Sequence, residues 1–232
     1  MPVSPNPIHR RRSPGHRSRR ARHLGWLWGL AVSIVLAEGL GLTEGVVDWV
    51  SRHYGVAAGE RVEQLRELVE RQRAAAESVQ VERVNAFFNA VPYDTDDHLW
   101  HENDYWATPV EMLSIDGADC EDYAIAKYFT LRELGVPAER LRITYVKAVK
   151  LDQAHMVLAY YAEPDGEPLI LDNLDGRIRP AGARDDLVPV YSFNGEDLWL
   201  AVNRNHGRKV GTADRIDLWN RLRAKMAREG QS

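Results

Sequence analysis

GADCEDYAIAKYFTLRELGVP, residues 117–137, holds the only cysteine of the chain and decides how the rest is read. Asp119 is a good helix N-cap, and Asp122 three residues on resembles the acidic half of a capping box. Ala124, Ile125, Tyr128, Leu131 and Leu134 then recur on one helical side. Gly135 suits the residue just past the helix, and Pro137 prevents its continuation. Cys120 therefore falls at the first helical position, where unpaired N–H groups and the helix dipole favour a thiolate. The carboxylates of Asp119, Glu121 and Asp122 act the other way, since like charges raise a thiol pKa. An imidazolium from His155 or a bound divalent cation would offset them. If Asp119-Cys120-Glu121 is locally extended, the two acids point away from the sulfur and can hold Ca²⁺ in oxygen coordination. A solvated, dipole-favoured helix start explains the same acids equally well.

Upstream, Glu60 to about Asn89 reads as one long helix or two shorter ones, with Val62, Leu65, Leu68, Val69, Val81, Val84, Phe87 and Phe88 at helical spacing. Pro92 ends it, and the acidic, aromatic stretch Asp94 to Trp106 reads as loop with short turns. Downstream the period changes. Residues 142–149 (RITYVKAV), 155–161 (HMVLAYY) and 168–172 (PLILD) read as strands, followed by 188–193 and 197–201 across an Asn194-Gly195 turn. The tail from Thr212 to Arg228 is amphipathic, with Ile216, Trp219, Leu222 and Met226 on one side. The plan is an α+β domain: helices first, then an antiparallel sheet, with the cysteine at the N-terminus of a central helix.

His155 opens one predicted strand and Asp172 closes another. If the two strands pair as a hairpin, these residues become neighbours. A carboxylate on one imidazole nitrogen fixes the tautomer and leaves the other nitrogen for the thiol. The order is Cys at a helix start, His at a strand start and Asp at the next strand end. It is the order expected of a nucleophile, a base and an orienting acid. Trp106 and Asn103 are further candidates to line an oxyanion pocket.

Net charge is −4, but residues 1–37 carry seven arginines and no acid, so the remainder stands at −11. Such a body argues against nucleic acid as a partner, because phosphate contacts need clustered Lys and Arg. Leu24 to Ala37 is uncharged and mostly apolar behind that basic stretch, with Val35 and Ala37 at the positions of a cleavage site. Residues 1–37 thus read as a basic leader and signal peptide, and 38–232 as a single domain outside the cytoplasm. An uncleaved anchor from Leu24 to Leu42 is the alternative. One cysteine excludes an internal disulfide and any CxxC metal site.

Five segments carry a resemblance: Asp104 to Pro109 (DYWATP), Gly117 to Pro137, Leu141 to Tyr161, Leu169 to Pro180 (LILDNLDGRIRP) and Leu187 to Asn194 (LVPVYSFN). Together they resemble the LapG family, the bacterial transglutaminase-like cysteine proteases of the periplasm. The resemblance implies a papain-like or transglutaminase-like core and a triad of Cys120, His155 and Asp172. It implies a calcium ion held by acids at Asp119 and Glu121, with Asp122 as a weaker candidate. It implies as substrate a large, repeat-rich surface adhesin, cut near its N-terminus at a di-alanine sequence and so released from the outer membrane. An inner-membrane receptor for cyclic di-GMP is the implied inhibitory partner. The same residues, read alone, also suit acyl transfer to an amine, peptidoglycan hydrolysis, or a binding module with an inert buried cysteine.

Overall fold

Caps and breakers set the helical half of the chain. Thr43 caps α1 (Glu44–Tyr54) by accepting the Val46 N–H, and the chain turns at Gly55 into α2 (Val56–Gln72). A short break separates α2 from α3 (Glu77–Phe88), so the predicted helical region is two helices. The computed structural model describes residues 40–229, which fall within one compact unit, Ala37–Ser232. The leader and signal peptide readings rest on residues outside the described range, and so does the anchor reading apart from residues 40–42, which lie outside any helix. Among the described residues, no helix is long and apolar enough to cross a membrane.

The acidic stretch after Pro92 is loop apart from one turn, α4 (Asp96–Leu99). Thr108, Pro109 and Glu111 then start α5 (Pro109–Ile115) with a capping box and a proline in the first turn. The central helix α6 spans Cys120–Glu133. It ends as its sequence requires: Gly135 takes φ 95°, and the Val136 N–H returns to the Leu131 carbonyl at 3.0 Å.

Seven strands follow among the described residues: β1 (Leu141–Ala148), β2 (Gln153–Tyr160), β3 (Leu169–Leu171), β4 (Arg179–Pro180), β5 (Leu187–Phe193), β6 (Asp197–Ala201) and β7 (Gly207–Thr212). They form one antiparallel sheet in the order β4-β3-β2-β1-β5-β6-β7. Both faces of β2 are buried. Met156, Leu158 and Tyr160 join the main core, and Val157 and Ala159 join a second cluster with Val146, Ile170 and Leu187. This explains why its sequence runs apolar without alternating. The last helix, α7 (Asp217–Glu229), inserts Trp219 against α6, stacked on Phe129 at 5.3 Å and edge-on to Tyr128 and Phe193.

One irregularity positions the site. β3 is only three residues long and pairs with Leu158–Tyr160 alone. The first half of β2 therefore has no ladder partner on that side, although β1 pairs along its whole length on the other.

Candidate active site

The backbone before Cys120 is tied down. Tyr93 and Ala118 form a parallel bridge, in which Ala118 N–H reaches the Pro92 carbonyl (3.2 Å) and Asp94 N–H the Ala118 carbonyl (2.9 Å). A Cβ on Gly117 would lie 2.8 Å from Leu99 Cδ2, so a larger residue there would push the Leu99 side chain aside. Asp119 is the N-cap and Cys120 the first residue of α6, as its sequence predicts. Asp122 accepts the Ala107 N–H at 2.7 Å and the Asp119 N–H at 3.5 Å, which welds the helix start to the segment before α5.

The half-buried Cys120 sulfur lies beside the Met156 N–H, on the part of β2 that the short β3 leaves unpaired. It also donates to Glu121 Oε2 at 3.1 Å. This corrects one expectation. The segment is helical from Cys120 onward, so the acids do not point away from the sulfur; Asp119, Cys120 and Glu121 gather their ligand atoms within 4.8 Å. Burial, then the Glu121 and Asp119 carboxylates, push the thiol well above its usual range, and the Met156 N–H opposes them only in part.

His155, one residue from Met156, is buried on β2. The predicted hairpin is present, with Leu158 opposite Leu171, and it brings His155 Nε2 to 2.7 Å from Asp172 Oδ1. A carboxylate only accepts, so Nε2 donates and Nδ1 is the nitrogen left over. Among the described residues, Asp172 is the imidazole's hydrogen-bond partner and no direct bond joins it to the sulfur. Burial alone would raise the Asp172 pKa, but bonds from His155, Arg184 and the Leu174 N–H outweigh it and hold the carboxyl at about 2. Asn89 Nδ2 secures the Asp172 carbonyl at 2.8 Å. His98 also meets a carboxylate, Asp94, but its side chain is 76% exposed.

Beside the thiol lies an acidic cluster larger than the sequence suggested. Asp96, Asp104 and Glu121 bring ligand oxygens within 4.8 Å of one another, as do Asp96, Asp119 and Asp122. Asp96 Oδ2 accepts the Tyr105 N–H at 2.6 Å, while Oδ1 of Asp96 and Oδ1 of Asp119 are buried with no hydrogen-bond partner among the described residues. Burial, then repulsion from Glu121, Asp122 and Asp96, raises Asp119 to about 10; burial also raises Glu121 and Asp96. Orphaned oxygens in an all-carboxylate cluster suit a hard divalent cation. Asp122 belongs to the same cluster, but its two oxygens already serve backbone N–H groups.

The segment that Asp122 holds is fixed from the other end of the chain as well. Lys225 Nζ donates to the Trp106 carbonyl and to Glu111, each at 2.7 Å, and the Thr108 hydroxyl donates to Glu229 at 2.8 Å. Trp106 is 5% exposed and stacked on Phe193, so it is core, while Asn103 is exposed.

Residues 53–206 match the family model described as bacterial transglutaminase-like cysteine proteinase, BTLCP. Legionella pneumophila LapG is similar in structure, with TM-score 0.70 and 41% identity over 81% of this chain and 97% of that one. The EGTA-treated form of LapG from the same organism gives the same values. Its calcium-bound form gives TM-score 0.67 and 41% identity over 78% and 98%. No curated protein sequence matches significantly.

Proposed function

This chain belongs to the bacterial transglutaminase-like cysteine proteinases, and from that membership we propose that Cys120 is its nucleophile, His155 its general base and Asp172 the group that orients the base. A cysteine protease with a single cysteine leaves no other nucleophile. The observation that carries the reading is the buried His155–Asp172 pair at 2.7 Å, one residue along β2 from Met156, whose N–H lies beside the Cys120 sulfur. The thiol turns from Glu121 to His155 Nδ1 and gives up its proton. The thiolate then attacks the peptide carbonyl, and the amine leaves with the proton from His155. Water hydrolyses the thioester with His155 again as base. In this reading backbone N–H groups at the start of α6 hold the oxyanion.

Calcium is the proposed cofactor, held by Asp96, Asp104, Asp119 and Glu121, with Asp122 anchoring the cluster through backbone bonds. The ion supplies positive charge that offsets the acids around the thiol. The buried, unpartnered oxygens of Asp96 and Asp119 support this, as does the calcium-bound form of the similar Legionella protein.

The proposed substrate is the N-terminal region of a large, repeat-rich surface adhesin, cut at a di-alanine site in the periplasm, so that the adhesin is released and biofilm disperses. An inner-membrane receptor for cyclic di-GMP is the proposed inhibitory partner. The likeness over 81% of the chain and the arginine-rich, then apolar, leader support this reading. The test incubates full-length protein, wild type and Cys120→Ala, with such an N-terminal region, with calcium and with excess chelator. Cleavage at di-alanine by the wild type with calcium alone is expected. Equal cleavage by Cys120→Ala, or full activity in chelator, would overturn the nucleophile or the cofactor respectively. Incorporation of an added amine in place of water would favour acyl transfer.

A further inference from the structure

Asp172 has two carboxylate oxygens, and the proposed reaction uses one. Oδ1 takes His155 Nε2 at 2.7 Å and the Leu174 N–H at 3.0 Å. Oδ2 takes Arg184 Nη2 at 2.6 Å. Arg184 is 1% exposed, and a second acid shares the same nitrogen and grips the adjoining edge: Nε meets Asp186 Oδ1 at 2.9 Å and Nη2 meets Asp186 Oδ2 at 2.8 Å. Asp186 reaches the surface, with 23% of its side chain exposed. A continuous chain of charge-assisted hydrogen bonds therefore runs from the surface through Asp186, Arg184 and Asp172 to His155.

We propose that Arg184 is a positioning residue for the reaction: by clamping the Asp172 oxygen that His155 leaves free, it fixes the direction in which His155 presents Nδ1 to Cys120. The proposal rests on the triad reading above. A carboxylate bonded through one oxygen can still turn about Cβ–Cγ; bonded through both, it cannot. The planar guanidinium serves two carboxylates at once through fixed N–H directions, which a lysine ammonium cannot reproduce. Asp186 in turn holds the plane of the guanidinium. Lys127 of α6 also feels the Asp172 charge, but its amine has no hydrogen-bond partner among the described residues and so imposes no direction.

The clamp acts on the base and not on the peptide, so its loss should lower kcat and leave KM in place. The test uses full-length protein loaded with calcium. Its first readout is alkylation of Cys120 by iodoacetamide at pH 7, which is unambiguous in a chain with one cysteine and needs no substrate. The second is kcat and KM on the adhesin N-terminal region. Arg184→Gln should slow both alkylation and kcat by about tenfold or more, with KM within about twofold. Arg184→Lys should recover part of the loss, and Asp186→Asn should lose a smaller part. In an Asp172→Asn background, Arg184→Gln should change the rate by less than about twofold, because its effect runs through Asp172.

Breaking a buried ion pair can prevent folding. If circular dichroism shows Arg184→Gln unfolded, Arg184→Lys and Asp186→Asn carry the test. Wild-type rates in the folded variants, or losses that multiply in the double variant, would overturn the proposal while the slow Asp172→Asn enzyme keeps the triad. An Asp172→Asn enzyme as reactive as wild type would instead overturn the triad itself.

Discussion

Lys127→Met should stabilise the protein, and by an amount that depends on pH. Lys127 lies on α6, is fully buried, and its amine has no hydrogen-bond partner among the described residues; the Tyr123 ring is 5.9 Å away. Burial lowers its pKa from 10.5 to about 7, against a weaker opposing pull from Asp172. The unfolded chain therefore holds a proton between pH 7 and 10.5 that the folded chain lacks, and lowering the pH through that window favours unfolding. One pKa unit corresponds to about 1.4 kcal/mol, so the penalty is about 4 kcal/mol at pH 7 and about 1 kcal/mol at pH 10. Methionine has similar volume and no charge, so its packing cost is about 1 kcal/mol. Urea unfolding of wild type and variant at both pH values gives the two differences. Comparison at equal pH cancels the titration of Asp119 and the buried tyrosines. A gain about 3 kcal/mol larger at pH 7 than at pH 10 is expected. Equal gains at both pH values, or a net loss at pH 7, would refute the reasoning.

Three further outcomes follow from the geometry. Asp96→Ala should weaken calcium binding in titration calorimetry by about tenfold or more, since it removes an oxygen aimed into the cluster; unchanged affinity would remove Asp96 from the ligand set. Trp219→Ala empties a fully buried site between α6 and α7 and should cost about 3–5 kcal/mol in urea unfolding. A cost below about 1 kcal/mol would mean that α7 does not hold α6 in place. Gly135→Ala should cost about 1 kcal/mol, because φ 95° strains any side chain although no atom stands within 4 Å of the new Cβ. An equally stable variant would contradict the assigned helix end.

The start and end of α6 were legible because local chemistry sets them: an N-cap acid, a glycine at positive φ and a proline. The His155–Asp172 pair was legible because a hairpin joins strand ends, and both residues stood at ends. The orientation of Asp119 and Glu121 was not. It turns on whether Cys120 is extended or helical, and the helical turn brings the carboxylates onto the sulfur. Arg184 carried no signal, since it leaves a short 3₁₀ turn, Ala181–Ala183, in a stretch without periodicity. Only tertiary packing sets its distance to Asp172. Asp96 was visible as one acid among several, and burial, which a sequence does not display, sets it apart. The α5 capping box at Thr108 and Glu111 follows a readable S/T-x-x-E pattern. By contrast, β7 is charged and glycine-bounded, and it exists because β6 offers an edge.

The double anchoring of the Trp106–Thr108 segment has a consequence for how the enzyme comes into being. Asp122 holds this segment from the helix that Cys120 opens, and Lys225 and Glu229 hold it from α7. Synthesis runs from the N-terminus, so the cysteine is made long before the residues that pin its surroundings. A growing or truncated chain carries the thiol on a helix that still lacks Trp219, beside a segment tethered at one end only. The surroundings of Cys120 are therefore pinned on both sides only once α7 has docked.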